Sequence, residues 1–291
     1  MKSKISNALE LLSGAPLEAI KNMNLREIEH IDEISLRVER PVSLSVASKD
    51  VILENAVVKQ EDIEHTFKTA FSYSLHSYSK ELASGYITTK GGNRVGLCGT
   101  AVITNDKYSV ETLKYISSIN IRIAQEINGC ADEVINKCFA DGISGVLIVG
   151  PPSSGKTTIL RDITRQLGNM YKISLVDELN EISATHRNLA QNDIVRLTDV
   201  FVGYPKHVGV TTAVRVMSPR AIVVDEIGTE EDCKALEYAL HSGVVLITAV
   251  HGASFEDAAK KYVIKRLLED RAFSWAVELS PDRKLRVIKI D

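Results

Sequence analysis

Gly150-Pro151-Pro152-Ser153-Ser154-Gly155-Lys156-Thr157 fits the pattern G-x-x-x-x-G-K-[ST], whose chemistry is phosphate binding. Glycines let a loop curl until its backbone N–H groups face inward at phosphate oxygens. A helix that starts where the loop ends adds a partial positive charge at the same spot. Lys156 would reach the β- and γ-phosphates of a nucleoside triphosphate, and the Thr157 hydroxyl would bind Mg²⁺. The residues expected to bind nucleotide are therefore Gly150, Pro151, Pro152, Ser153, Ser154, Gly155, Lys156, Thr157 and Thr158.

Hydrolysis also needs carboxylates, and these come after apolar runs elsewhere in the chain. Asp225 and Glu226 come directly after Ile222-Val223-Val224. An Asp in that place holds Mg²⁺, usually through water, because Mg²⁺ keeps much of its hydration shell. The Glu beside it can polarise the attacking water as general base. Asp177 and Glu178 come after Ile173–Val176, with Glu181 one turn later. Acidic residues after strands are common, so a solvated turn competes with a catalytic role there. His251 comes after Leu246–Val250. It reads either as a sensor touching the γ-phosphate or as a core histidine bonded to backbone. Arg94, Arg122, Arg196 and Arg215 could each set a guanidinium on the γ-phosphate oxygens. For each of them, surface ion pairing is the competing reading.

These residues need a frame. Val146–Val149 is a short apolar run ahead of the glycine loop, and 158–167 carries Ile159, Leu160, Ile163 and Leu167 at helical spacing. Further apolar runs at 173–176, 221–224 and 244–250 alternate with helical stretches. Continuous apolar strands separated by helices predict a parallel sheet covered on both faces. Ligands bind such sheets at the carboxyl ends of the strands, where the carboxylates and His251 fall. Segments 272–279 and 284–290, around Pro281-Asp282, predict an antiparallel hairpin extending the sheet.

The first half has a different texture. Residues 1–29 look helical, broken at Gly14-Ala15-Pro16. Alternation at 34–38 and 42–46 predicts a hairpin, and 60–80 returns to a helical pattern. Two strands are expected within 85–103, joined at Gly91-Gly92. Gly96 and Gly99 in the second suggest bulges or close approach by another backbone or a ligand. Ile119–Ala124 alternates again, and Asn128-Gly129 punctuates the chain. The expected division is an α+β domain over 1–125 and a phosphate-loop domain over 126–291.

A length of 291 residues accommodates those two domains, and 44% hydrophobic residues supply two cores. The net charge of −3, without a basic, aromatic-rich stripe, argues against a nucleic-acid partner. No apolar run approaches the ~20 residues of a bilayer span, and the amino terminus lacks a signal-peptide core. The protein is expected to be cytoplasmic. Cys98, Cys130, Cys138 and Cys233 are scattered without a C-x-x-C, which predicts reduced, mostly buried thiols.

Taken in order, several segments resemble the stage III sporulation AA family, within the secretion-ATPase superfamily that drives type II and type IV secretion and pilus machines. They are Glu33–Pro41, Gly85–Thr88, Gly91–Gly96, Asn120–Ala124, Gly150–Thr158, Val176–Ile182, Arg215–Gly228 and Ala249–Ser254, spanning nearly the whole chain. The resemblance implies a RecA-like P-loop ATPase domain with a parallel sheet, preceded by an α+β N-terminal domain. It implies ATP with Mg²⁺, held at subunit interfaces of a homo-oligomer, a hexameric ring. It sets Val176–Glu181, including Glu178, at an acidic box in which Glu181 matches a carboxylate implicated in hydrolysis. It sets His251 at a histidine box, and it favours Arg94 and Arg122 as N-terminal-domain arginines that approach the nucleotide. One departure is plain: the broader superfamily has Gly-Glu where this chain has Asp225-Glu226. Two general bases therefore stay open, Glu226 first and Glu181 second. The resemblance further implies a motor peripheral to the membrane, on the mother-cell side around the forespore, that energises a channel of membrane proteins. A nucleic-acid-stimulated RecA-like motor and a nucleotide-binding scaffold that scarcely hydrolyses are the alternative readings.

Overall fold

A computed structural model describes residues 4–71, 85–103 and 110–290. The chain forms two compact units, Met1–Gln125 with Ala184–Gln191, and Glu126–Ser183 with Asn192–Asp291. A single cut after residue 125 leaves out the excursion 184–191, which packs with the first unit.

The first unit opens with three short helices, α1 (Lys4–Leu9), α2 (Gly14–Lys21) and α3 (Leu25–Glu29). Strands β1 (Ile31–Arg37), β2 (Pro41–Val46) and β3 (Lys49–Val57) come next, then α4 (Gln60–Ala70). The remainder of the helical pattern at 72–80 lies outside the described residues. After it come β4 (Tyr86–Thr88), a 3₁₀ turn at Lys90–Gly92, β5 (Arg94–Ile103) and β6 (Val110–Arg122). The six strands form one sheet in the order β3-β2-β1-β6-β5-β4, antiparallel throughout. Period-2 alternation decides which face is covered. Ile34 and Leu36 of β1 stand opposite Ile121 and Ile119 of β6, and all four are buried with Ile20, Ile63 and Phe71. The β5–β6 register shifts between Cys98 and Thr100, where β6 carries the extra residues (Tyr115–Ser117) opposite Gly99 alone. A Cβ there would lie 2.7 Å from the Lys114 carbonyl oxygen, so the expected close backbone approach is real.

The second unit contains α5 (Asp132–Cys138), β7 (Val146–Gly150), α6 (Lys156–Leu167), β8 (Ile173–Asp177), β9 (Thr198–Val202) and α7 (Lys206–Met217). It continues with β10 (Ala221–Glu226), α8 (Glu230–His241), β11 (Val245–His251), α9 (Phe255–Ala258), α10 (Tyr262–Glu269), β12 (Trp275–Leu279) and β13 (Leu285–Lys289). The sheet order is β13-β12-β7-β11-β10-β8-β9. All neighbours run parallel except the β12–β13 hairpin. Every residue of β7 and β8 is buried, which is why these strands are continuous apolar runs rather than alternating ones. Strand β9 has no counterpart among the sequence expectations. It is an edge strand whose Thr198 and Asp199 are only half buried, so it lacks the apolar signature of its neighbours.

No described helix is long and apolar enough to cross a membrane. The four cysteines are free, but only Cys138 and Cys233 are buried; Cys130 is half-buried and Cys98 exposed. The expectation of mostly buried thiols therefore holds for two of them. Burial pushes the Cys138 thiol up to about 12 and the Cys233 thiol up to about 11.

Candidate functional site

The glycine loop joins β7 to α6 as its sequence requires. Gly155, in the N-cap position of α6, has φ +99°, a left-handed conformation that glycine adopts without steric cost. The first intrahelical bond runs from the Ile159 amide to the Gly155 carbonyl, so the preceding first-turn amides are left over by helix geometry. Ile159, Leu160, Ile163 and Leu167 are buried, which fixes the helix against the sheet and aims its start at the loop. Ser154 Oγ is buried without a hydrogen-bond partner among the described residues. An orphaned hydroxyl in a loop of this shape fits a ligand oxygen.

Lys156 is buried and folds back into the loop. Its Nζ donates to the carbonyl oxygens of Gly150 at 3.0 Å and Pro151 at 2.9 Å. A third contact, at 2.9 Å, reaches Nδ1 of His251. His251 closes β11 directly opposite Gly150 in register. Its other nitrogen, Nε2, lies 3.1 Å from Oε2 of Glu226. An ammonium can only donate, so Nδ1 accepts and Nε2 carries the ring proton toward the carboxylate. The result is a bonded chain Lys156–His251–Glu226 from the start of α6 across the ends of β11 and β10. A core histidine bonded to backbone is not what forms: the His251 side chain is 45% exposed and is held by two charged side chains.

Asp225 and Glu226 end β10. The β10–β11 register steps from Val224–Thr248 to Glu226–Ala249, leaving Asp225 as an inserted residue. Strict pleating would send the two carboxylates to opposite faces, and the bulge breaks that alternation. Asp225 is buried. Burial, then the charges of Glu181 and Asp177, pushes its carboxyl up to about 6. Burial also lowers the Lys156 pKa, against the opposing pull of Glu226 and Asp225. A buried carboxylate crowded by other carboxylates, close enough to the loop lysine to act on it, fits a divalent cation. With Thr157 in the first turn of α6, it would supply the few oxygen ligands that Mg²⁺ takes from protein when phosphates and waters supply the rest.

The turn after β8 is built around Asp177. Its fully buried carboxylate accepts from the amides of Glu181 (2.8 Å), Ile182 (3.2 Å) and Ser183 (2.8 Å) and from the Ser183 hydroxyl (2.7 Å). Arg161 of α6 donates to the carbonyls of the same turn, at 2.7 Å to Glu181 O and 3.1 Å to Ile182 O. Burial lowers the Arg161 pKa, and the carboxylates of Glu126, Asp177 and Glu181 oppose that shift.

The second unit thus gathers Gly150–Thr158, Asp225, Glu226, His251 and the Glu181 turn at one sheet edge. Glu178, expected among the catalytic carboxylates, pairs with Lys206 at 3.3 Å. Arg94 and Arg122 are register partners on β5 and β6 of the first unit, and the Arg94 guanidinium lies 5.0 Å from the Tyr86 ring centroid. Arg196 and Arg215 are both exposed. Sequence reasoning did not identify Arg161; the available signal was a basic residue in the second turn of the loop helix. Asp177 was read only as one acidic residue among several, because its partners are backbone amides that any residue supplies.

Over residues 2–289 the chain matches the family described as sporulation stage III, protein AA. It is 37% identical over 277 residues to Stage III sporulation protein AA of Bacillus subtilis (strain 168), covering 93% of this chain and 89% of that protein. Among solved structures, the pilus retraction motor PilT with bound ADP is similar with a TM-score of 0.62 at 14% identity, covering 91% of this chain and 81% of that one. The ATPase DotB of Legionella pneumophila is similar with a TM-score of 0.58 at 15% identity, covering 94% and 78%. At such identities the likeness is one of fold. The fold class is α/β, with a parallel-sheet unit of RecA-like P-loop type after an α+β unit, as the sequence predicted.

Proposed function

The chain belongs to the sporulation stage III protein AA family, and from that premise we propose that it is a Mg²⁺-dependent ATPase motor of a sporulation-associated, secretion-like transport complex. The observation that carries the reading is the bonded chain from Lys156 through His251 to Glu226. It joins the cation that meets a γ-phosphate to a carboxylate placed to take a proton from water.

The residues divide the work. The loop amides, the first-turn amides of α6 and Ser154 Oγ receive phosphate oxygens. Lys156 exchanges its two loop carbonyls for β- and γ-phosphate oxygens. Thr157 and Asp225 hold Mg²⁺, which when bound neutralises charge developing on the phosphates. Glu226 acts as general base on the attacking water, with Glu181 the second candidate. The His251 ring bridges Lys156 and Glu226, so loss of the γ-phosphate contact at Lys156 is felt at Glu226 through one side chain. Most of the acceleration comes from positioning and fixed charge rather than covalent chemistry.

Assembly and setting belong to the same proposal. The active form is a homo-oligomer, a hexameric ring, in which Arg94 and Arg122 approach nucleotide. The motor works in the cytoplasm, peripheral at the membrane, on membrane proteins of the sporulation channel and without nucleic acid. PilT is described as a pilus retraction motor and DotB as an ATPase, which supports the motor reading. Phosphate release from Mg·ATP by purified protein tests it. Slow, measurable turnover that disappears in Glu226→Gln supports the assignment; a Glu226→Gln rate equal to the parent's removes Glu226 as base.

A further inference from the structure

We propose that Arg161 and Asp177 are positioning residues that clamp the turn Glu181–Ser183 from two sides, fixing where Glu181 stands and anchoring the root of the 184–191 segment. This rests on the ATPase reading above. No helix or strand holds residues 178–183, so side-chain partners meet the backbone groups of 181–183. The Ile182 peptide groups show how. Its amide is received by the Asp177 carboxylate at 3.2 Å, while its carbonyl takes donors from Arg161 at 3.1 Å and from the Asn192 side chain at 2.7 Å. The neighbouring Glu181 has its amide on Asp177 and its carbonyl on Arg161. With amide and carbonyl both gripped, neither peptide plane can rotate without breaking a charge-assisted bond.

The ends of the clamp sit on elements that matter. Asp177 is the last residue of β8. Arg161 lies on α6, five residues beyond the loop Lys156, so Glu181 is referenced directly to the helix that receives phosphate. A turn that only had to close could use neutral side chains, since burying a guanidinium and a carboxylate carries a desolvation cost.

The clamp also grips a crossing. Ser183, held by amide and hydroxyl on Asp177, is the last residue before the chain enters the 184–191 excursion. Asn192, the first residue after it, donates its amide to Ser183 O at 3.1 Å, which ties the two ends together. Within the excursion, His186 and Leu189 exchange backbone bonds across Arg187 and Asn188, both at positive φ. His186 Nδ1 bonds the Thr88 carbonyl at 3.0 Å, and the Gly91 amide donates to the Gln191 side chain at 2.9 Å.

The test combines exchange with kinetics on the full chain, using Arg161→Lys, Asp177→Asn, Glu181→Gln and the Arg161→Lys/Glu181→Gln double variant. Amide hydrogen exchange at Ile182 and Ser183 should be slow in the parent and about tenfold or more faster in Arg161→Lys, because lysine lacks the planar fork. In ATP turnover, Arg161→Lys should lower kcat about tenfold while KM stays within about twofold, and the double variant should be no slower than Glu181→Gln alone. Unchanged exchange, a KM effect without a kcat effect, or losses that simply add in the double variant would each overturn the proposal. If Asp177→Asn does not fold, Arg161→Lys carries the test alone. A parent that hydrolyses no ATP defeats the functional reading, whereas the exchange result still decides the clamp.

Discussion

Lys156 Nζ and His251 Nδ1 stand 2.9 Å apart, and the far nitrogen of the same ring faces Glu226 at 3.1 Å. One imidazole therefore separates the loop lysine from the carboxylate proposed as general base. His251→Ala breaks both contacts. We expect kcat to fall about tenfold or more with nucleotide affinity reduced far less, and His251→Gln, which can satisfy one partner, to lie between. Steady-state kinetics with a parallel nucleotide-binding titration checks this. A purely proportional loss of affinity would mean the ring acts only in binding.

Glu226→Gln keeps the shape of the side chain and a hydrogen-bonding end but removes the carboxylate proposed as base. Turnover should drop on the order of 10²-fold or more, with Mg·ATP still bound. A rapid-quench measurement of the cleavage step separates this from slow product release. Transfer of the whole defect to Glu181→Gln, with Glu226→Gln normal, would identify Glu181 as the base instead.

Asp225 gives a pH dependence whose sign is fixed. Its carboxyl rises from an ordinary 3.8 to about 6 in the folded protein, through burial and then the charges of Glu181 and Asp177. The folded state thus holds a proton that the unfolded chain releases. The associated stability is full below the unfolded pKa and is lost as pH rises through the folded one; above it the ionised group costs on the order of 2 kcal/mol. Ligand-free Asp225→Asn should therefore melt higher than the parent at pH 7.5 and nearly equal to it at pH 4. Added Mg·ATP should stabilise the parent more than the variant, since Asp225 would hold the metal. Thermal melts of both proteins from pH 4 to 8, with and without Mg·ATP, read all of this. A lower melting temperature for the variant at pH 7.5 without ligand would contradict it.

The positions of the candidate site residues were legible where burial forces a simple pattern. Strands β7, β10 and β11 are covered on both faces, so each is an apolar run, and the residues just past each run had to lie at the sheet edge. The G-x-x-x-x-G-K-[ST] spacing marked Gly150–Thr158, and the ends of the apolar runs marked Asp225-Glu226 and His251. The Asp225 bulge was not legible, because it is a register slip in the β10–β11 ladder and no residue type marks it. Strand β9 escaped because an edge strand with Thr198 and Asp199 half-exposed has no apolar signature. The 184–191 hairpin escaped because its partners, Thr88 and Gly91, are about a hundred positions away, beyond any local pattern.

Arginine donation across a subunit interface predicts complementation. Lys156→Ala and Arg94→Ala proteins should each be inactive. Mixed before ring assembly, they should regain part of the parent rate, because some interfaces then pair an intact Lys156 with an intact Arg94. Phosphate release across mixing ratios measures it. No recovery at any ratio would place Arg94 in the same site as the Lys156 of its own subunit, or outside catalysis.

Calorimetric titration of Mg·ATP into the parent and into Lys156→Ala tests the central claim most directly. A saturable heat for the parent, absent in Lys156→Ala while the variant keeps the parent's melting profile, is the predicted result. A folded parent that gives no heat up to millimolar Mg·ATP, or a Lys156→Ala protein that binds as the parent does, would contradict the account.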